Sequence, residues 1–472
     1  MIKKKNQTYF SNKGLKNSAK AKTRREKYRQ IKSLRKKVRN KKTKVKHKSP
    51  FQPYIRKRKF LPPPRPNKHN EYVKYFASIP NVFSKTGFRY KNDAPLFIPP
   101  IFSLIDNYEA SFDFLKQLFT VLYKGKTNTL PLDYSKCTRI DVDASICMDF
   151  IIAQYLQYIN PCNANGYKAY PSVITPVNFD KEDIKKVLFS IGAYKNLRNL
   201  TIKYADVEPL PVLINDNRGS NVWAISEIQQ TQTVDYIKRC LQRMNRELNQ
   251  NAETELYKVI GEIMSNAEEH ATMRHRYAIG FFQENHDADN HFGIFNFSIF
   301  NFGDTIYQSF TSRNCKNPNI VNQMKSLSES YTKKGWFRSA EFEEETLWTL
   351  YALQEGVTSK EKKRGNGSIQ FIENFFRLKG DMEKDNISKL VIVSGNTRIE
   401  FDGTYNIIEK EKIGVKRKFK MMTFNRSGNI SEKPDEKFVT FAPNFFPGTL
   451  ISARILIKHD NINTEKNSNE RV

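Results

Sequence analysis

The chain has 472 residues and a formal net charge of +30, room for two or three domains at about 100–200 residues each. Of its 79 Lys and Arg, 27 lie in residues 1–70 against a single acid, Glu26, so a basic arm precedes a nearly neutral body. No stretch approaches 18 uninterrupted apolar residues, which excludes a conventional transmembrane helix, and no apolar run follows the opening MIKKK to make a secretory signal. The five cysteines are odd in number and form no CxxC pair, which argues against a disulfide framework or a thiolate zinc site and for a reducing cytoplasm.

Residues 1–70 bury too little apolar surface to offset chain entropy, and the expectation is disorder. Within them Tyr28, Ile31, Leu34 and Val38 mark a narrow apolar stripe on a strongly basic helix. Three kinds of partner suit residues 1–66: a nucleic acid or other polyanion bound through counterion release, an anionic membrane surface, or an acidic protein. A solvated tail is the plain alternative. Leu61-Pro-Pro-Pro-Arg-Pro66 reads as a stiff spacer closing the arm.

The next segment, 71–220, reads as a small α/β domain with an N-terminal extension. A helix is predicted at about 109–123, a strand through Leu130, Leu132 and Tyr134, and a loop at Asp141–Asp143. A helix from Ala144 to Ile159, a strand near 171–176 and a helix near 181–190 follow, in a βαβα rhythm. The run from Leu132 to Phe150 resembles a STAS-like domain, the fold of bacterial anti-sigma-factor antagonists. The resemblance implies a loop whose Ser or Thr a partner kinase phosphorylates, and a protein partner for this domain. Asp143 falls near that acceptor place, with Ser145 two residues on. Asp141 and Asp143 read equally as caps of the following helix.

Residues 230–458 carry the densest set of motifs. Glu255–Thr272 has an apolar stripe of Leu256, Val259, Ile260, Ile263 and Met264, while Glu262, Asn266 and His270 recur every four residues on one face. Strands are predicted at about 277–283 and 292–300, the second running into Asn301-Phe302-Gly303. Arg364-Gly365-Asn366-Gly367 opens an apolar helix, and Gly448-Thr449 opens a terminal strand.

That order of four motifs resembles the GHKL ATPase domain shared by gyrase, histidine kinases and the anti-sigma-factor serine kinases. The resemblance implies an α/β sandwich with helices on one face of a mixed sheet, and ATP and Mg²⁺ as ligands. It assigns Asn266 to the metal and Glu262 to activation of the nucleophile, His270 to a phosphate or to bracing its helix. Gly303 would let the backbone approach adenine, Gly365 and Gly367 would line the phosphates, and Thr449 would meet the adenine edge. Lys362, Lys363 and Arg364 would reach the γ-phosphate or form a solvated lid. Two departures stand out. Asn301 occupies the place of the family's adenine-binding Asp, and Thr305 that of a glycine.

About 58 residues between Ile306 and Gly365, with a helix near 344–355, read as an enlarged ATP lid. Residues 403–445 carry no readable pattern, and 459–472 read as a polar tail. Three functions are compatible: a slow ATPase or ATP-dependent switch controlling a partner, a serine/threonine protein kinase of the anti-sigma type acting on a STAS-like domain, and a nucleic-acid-binding scaffold with a degenerate nucleotide site.

Overall fold

The computed structural model describes residues 71–91, 93–125, 127–164, 171, 173–192, 202–269, 272–287, 290–313, 315–332, 342–359, 367–379, 384–412 and 415–459. The basic arm and the polar tail beyond His459 lie outside them. Every described residue belongs to one unit, Arg58–Val472.

Helix α1 (Glu71–Ser78) leads into strands β1 (Leu96–Phe97) and β2 (Ile101–Phe102), helix α2 (Tyr108–Lys124) and strands β3 (Thr129–Asp133) and β4 (Arg139–Ile140). Helix α3 (Val142–Ala164), strand β5 (Val173–Val177) and helix α4 (Glu182–Ser190) follow. Strand β6 (Val207–Asp216) then precedes two long helices, α5 (Val222–Arg243) and α6 (Gln250–Glu269), and the hairpin β7 (His275–Asp287) and β8 (Asn290–Phe302). The expected lid region holds α7 (Ile306–Thr311), α8 (Pro318–Thr332) and α9 (Glu344–Ala352). Helix α10 (Gly367–Leu378), strands β9 (Lys389–Phe401), β10 (Ile408–Lys412) and β11 (Val415–Met421), and the long β12 (Val439–Lys458) complete the order.

Five strands form the main sheet, in the order β6-β7-β8-β12-β9, with every pairing antiparallel. Parallel pairing is confined to two small sheets, β1-β3-β5 and β2-β4. The α/β class is as expected, and the mixture of strand directions is distributed between sheets rather than within the large one. Strands β10 and β11 form a separate antiparallel hairpin inside the segment that carried no readable pattern.

Alternation along the main sheet sends successive side chains to opposite faces. Ala278, Phe282, Phe295, Phe297, Ile299 and Ile455 meet α5, α6 and α10 on one face. Helix α6 contributes Leu256, Val259, Ile260, Ile263 and Met264, spaced as one helical stripe. The other face presents Tyr277, Ile279, Phe281, Phe300 and Phe302 to a second core, built with Phe76 of α1, Phe112 and Leu115 of α2 and Phe150 of α3. The result is three layers: helices, sheet, and the α/β elements of 71–190. Strand β6, drawn from the 71–220 segment, is an edge of the sheet whose other four strands come from 230–458. No helix among the described residues is long and apolar enough to cross a membrane.

Candidate functional site

Register places one polar residue from each strand side by side. Asn215 of β6 lies opposite Arg276 of β7, Arg276 opposite Asn301 of β8, Asn301 opposite Thr449 of β12, and Thr449 opposite Ser394 of β9. These five share the helix-facing side of the sheet with Ala278, Ile299 and Ile392. An unbroken polar row at this depth requires partners, because an unpaired buried donor or acceptor costs about 1–3 kcal/mol.

Most of the row is satisfied. Glu268, near the end of α6, accepts from Asn215 Nδ2 at 2.7 Å, Arg276 Nη2 at 2.8 Å and Ser226 Oγ at 3.1 Å. Arg276 is 0% exposed, and burial lowers the pKa of its guanidinium while the Glu268 carboxylate opposes that effect. At the other end, Ser394 Oγ meets Thr449 Oγ1 at 3.0 Å and accepts from the Ile306 backbone N–H at 2.8 Å. In the middle, Arg276 Nη1 and Asn301 Nδ2 are buried donors, and Asn215 Oδ1 a buried acceptor, without a hydrogen-bond partner among the described residues. Asn301 is 1% exposed. Thr449 beside it is half-buried.

Two glycine loops bracket Asn301. Gly303 has φ +137°, and a Cβ there would lie 2.4 Å from Thr272 Oγ1 and 2.5 Å from Thr272 N. The close approach that requires this glycine is therefore to the chain just after α6. Gly448 has φ +147°, and its Cβ would lie 2.1 Å from the Asn301 carbonyl oxygen. Gly303 N–H donates to the Pro447 carbonyl at 3.1 Å, tying the loops together. Thr305, where a glycine was expected by resemblance, is the N-cap of α7, and Gln308 completes a capping box with it.

The sequence-derived residues divide into three groups. Asn301 and Thr449 are brought together as cross-strand neighbours, with Gly303 two residues along. Glu262 and Asn266 lie half-buried on α6, and neither side chain has a hydrogen bond or ion pair among the described residues. Gly367 is the first residue of α10. His270, Lys362, Lys363, Arg364 and Gly365 lie outside the described residues. Sequence reading missed Arg276, Glu268, Asn215 and Ser394, because only the strand register shows that they join the row.

The opposite face of the sheet carries an ionic cluster. Arg454 of β12 pairs with Asp106 at 2.6 Å and Asp141 at 3.2 Å, and Lys389 of β9 pairs with Asp106 at 3.1 Å. Arg139 pairs with Asp141 at 3.2 Å. Asp143 is 0% exposed and Ser145 1%. Asp143 Oδ1 accepts from the backbone N–H groups of Ala144 at 2.6 Å and Leu104 at 3.2 Å. Burial and the neighbouring Asp141 charge push the Asp143 carboxyl up to about 7. The expected loop at 141–143 is the entry to α3, and its acidic side chains fasten the N-terminal layer to the sheet.

Comparison of the chain with protein-family models, with curated proteins and with solved structures finds no match.

Proposed function

We propose that the chain binds ATP with Mg²⁺ against the central part of the polar row, and that binding controls a partner interaction. The observation that carries this reading is the pair of buried donors without a partner among the described residues, Arg276 Nη1 and Asn301 Nδ2, next to half-buried Thr449. An asparagine amide offers a donor and an acceptor side by side, the pattern that pairs with the N6/N7 edge of adenine. Asn301 thus suits an adenine without the carboxylate that the resemblance leads one to expect.

The triphosphate would lie beside α6. Asn266 would hold Mg²⁺ through its carbonyl oxygen, and the ion would neutralise phosphate charge. Glu262, one turn earlier, would orient a water and accept its proton. The closed position of Asp143 and Ser145 behind the sheet favours a switch or slow ATPase over phosphorylation of that loop in cis.

Equilibrium binding of ATP to the whole chain, with and without Mg²⁺, tests the reading beside Asn301→Ala and Asn266→Ala. Both variants keep the basic arm, so its attraction for a triphosphate cancels. Each is expected to weaken Mg-dependent binding about tenfold, the worth of a hydrogen bond or metal contact in a buried site. Identical binding by all three proteins, or none at millimolar ATP, would move the scaffold reading into first place.

A further inference from the structure

The far end of the β7–β8 hairpin carries a second group of convergent side chains. His286 and His291 are cross-strand partners flanking the turn. Both direct Nε2 at the same atom, Glu284 Oε1, each at 2.9 Å. The three potential ligand atoms lie within 4.8 Å of one another. Glu284 Oε2 is held separately by Arg243 of α5, with Nη2 at 3.0 Å, so the carboxylate cannot swing freely. The His286 and His291 rings stack at 4.1 Å, and His459, just beyond β12, stacks on His291 at 4.3 Å. The His459 backbone N–H also donates to the His291 carbonyl at 3.0 Å, which fixes that end of β12 beside the hairpin. Three of the seven histidines in the chain therefore gather at one point.

We infer that Glu284, His286 and His291 form a binding site for a borderline divalent transition-metal ion, Zn²⁺ foremost, at the tip of this hairpin. Two imidazoles and one carboxylate are a donor set that zinc uses, and it leaves a fourth place for water. A tetrahedral ion with bonds of about 2.0–2.2 Å sets its ligand atoms roughly 3.3–3.5 Å apart. The observed 2.9 Å separations need to open by only a few tenths of an ångström. Arg243 supplies the outer partner that orients the carboxylate, and His459 packs against the ring of His291. The fourth place faces solvent, since His286 is 63% exposed.

This site is independent of the nucleotide reading. Arg276 and His286 lie at opposite ends of β7, roughly 33 Å apart at the rise of an extended strand. A hard ion such as Mg²⁺ prefers oxygen ligands and waters, so the two ions would not exchange places.

The test uses the whole chain, stripped with a chelator and titrated with Zn²⁺ against a chromophoric competitor. One tight equivalent is expected. His286→Ala should weaken it by about 100-fold or more, whereas His286→Cys, which replaces one zinc ligand with another, should keep most of the affinity. His286 is a mostly exposed side chain beside a turn, so neither variant threatens the fold, and circular dichroism verifies this. Co²⁺ substitution gives a second readout: tetrahedral d–d bands in the parent chain that His291→Ala abolishes. Absence of a tight equivalent, or its survival in both His286→Ala and His291→Ala, would overturn the assignment.

Discussion

The Tyr75 hydroxyl donates to the Gly303 carbonyl at 2.5 Å and reaches that of Pro447 at 3.4 Å. Helix α1 therefore holds both loops that flank Asn301. Burial, and secondarily the Asp304 charge, keeps the phenol well above its usual pKa, so it remains a donor. Tyr75→Phe should lower stability by about 1 kcal/mol with an unchanged denaturant slope, as measured by urea unfolding. A loss below about 0.3 kcal/mol, within the scatter of surface substitutions, would mean the loops hold themselves.

Glu268 is the common acceptor of Arg276, Asn215 and Ser226. Removing it leaves a guanidinium buried without its counter-charge. Glu268→Ala is expected to cost about 3–5 kcal/mol, and Glu268→Leu combined with Arg276→Met to regain much of that loss. Thermal and urea unfolding of the single and paired variants decide the matter. An additive double variant would show that the two residues do not act as a pair.

Gly448 and Gly403 share a left-handed backbone but not surroundings. At Gly448 a Cβ would lie 2.1 Å from the Asn301 carbonyl oxygen, whereas at Gly403, φ +86°, nothing lies within 4 Å. Gly403→Ala should cost about 1 kcal/mol from backbone strain alone. Gly448→Ala should cost about 3 kcal/mol or more, because it also forces β12 and β8 apart. Equal urea midpoints for the two variants would refute the steric argument.

The raised Asp143 carboxyl carries a pH signature. Between its ordinary pKa of about 3.9 and about 7 the folded chain holds a proton that the unfolded chain has released, so this residue makes stability fall as pH rises through that window. Below the window both states are protonated, and above it both are ionised. Asp143→Asn mimics the protonated form and should remove the falling limb, so that the variant gains on the parent from about pH 4 to about pH 7 and by a constant amount above that. Asp106 acts at lower pH: burial opposes its ionisation, but Arg454 and Lys389 outweigh burial and hold it low. Both proteins share that acid-side loss, so their difference isolates Asp143. Parallel urea midpoints across the range would contradict the assignment.

Deletion of residues 1–66 tests the arm. The prediction is loss of most affinity for a duplex or single-stranded nucleic acid, together with a shallower dependence of log K on log salt, by about 0.9 for each phosphate contact removed on duplex DNA. An unchanged slope in the truncated chain would place any such binding elsewhere.

Elements with a strong local pattern are legible in the sequence alone. The stripe Leu256, Val259, Ile260, Ile263 and Met264 marked α6, and the continuous apolar run through Phe295, Phe297 and Ile299 marked β8. The first half of β12 was not legible, because Pro443, Asn444 and Pro447 interrupt the alternation, and the pairing with β9 shifts register there. The hairpin β10–β11 was missed for another reason: Lys and Glu alternate along it with few apolar residues to show a buried face. At the site, Asn301 and Thr449 were found as motif residues. Arg276 and Glu268 were invisible, since a lone arginine in a strand and an acid in a helix carry no signal until the strand register and the end of α6 bring them together. His286 and His291 do leave a trace, as two imidazoles five residues apart between two strand-like runs, a spacing that no cysteine pattern would reveal.

Strand β12 lies between β8 and β9, yet it is the last strand in chain order. During synthesis the hairpin β7–β8 and strand β9 thus emerge from the ribosome as separate pieces with no edge in common. Neither the sheet nor the row from Asn215 to Ser394 can close until residues 439–458 have been made. A message cut short ahead of Val439 would yield not a trimmed sheet but two exposed strand edges, the kind of surface that chaperones hold and aggregates recruit.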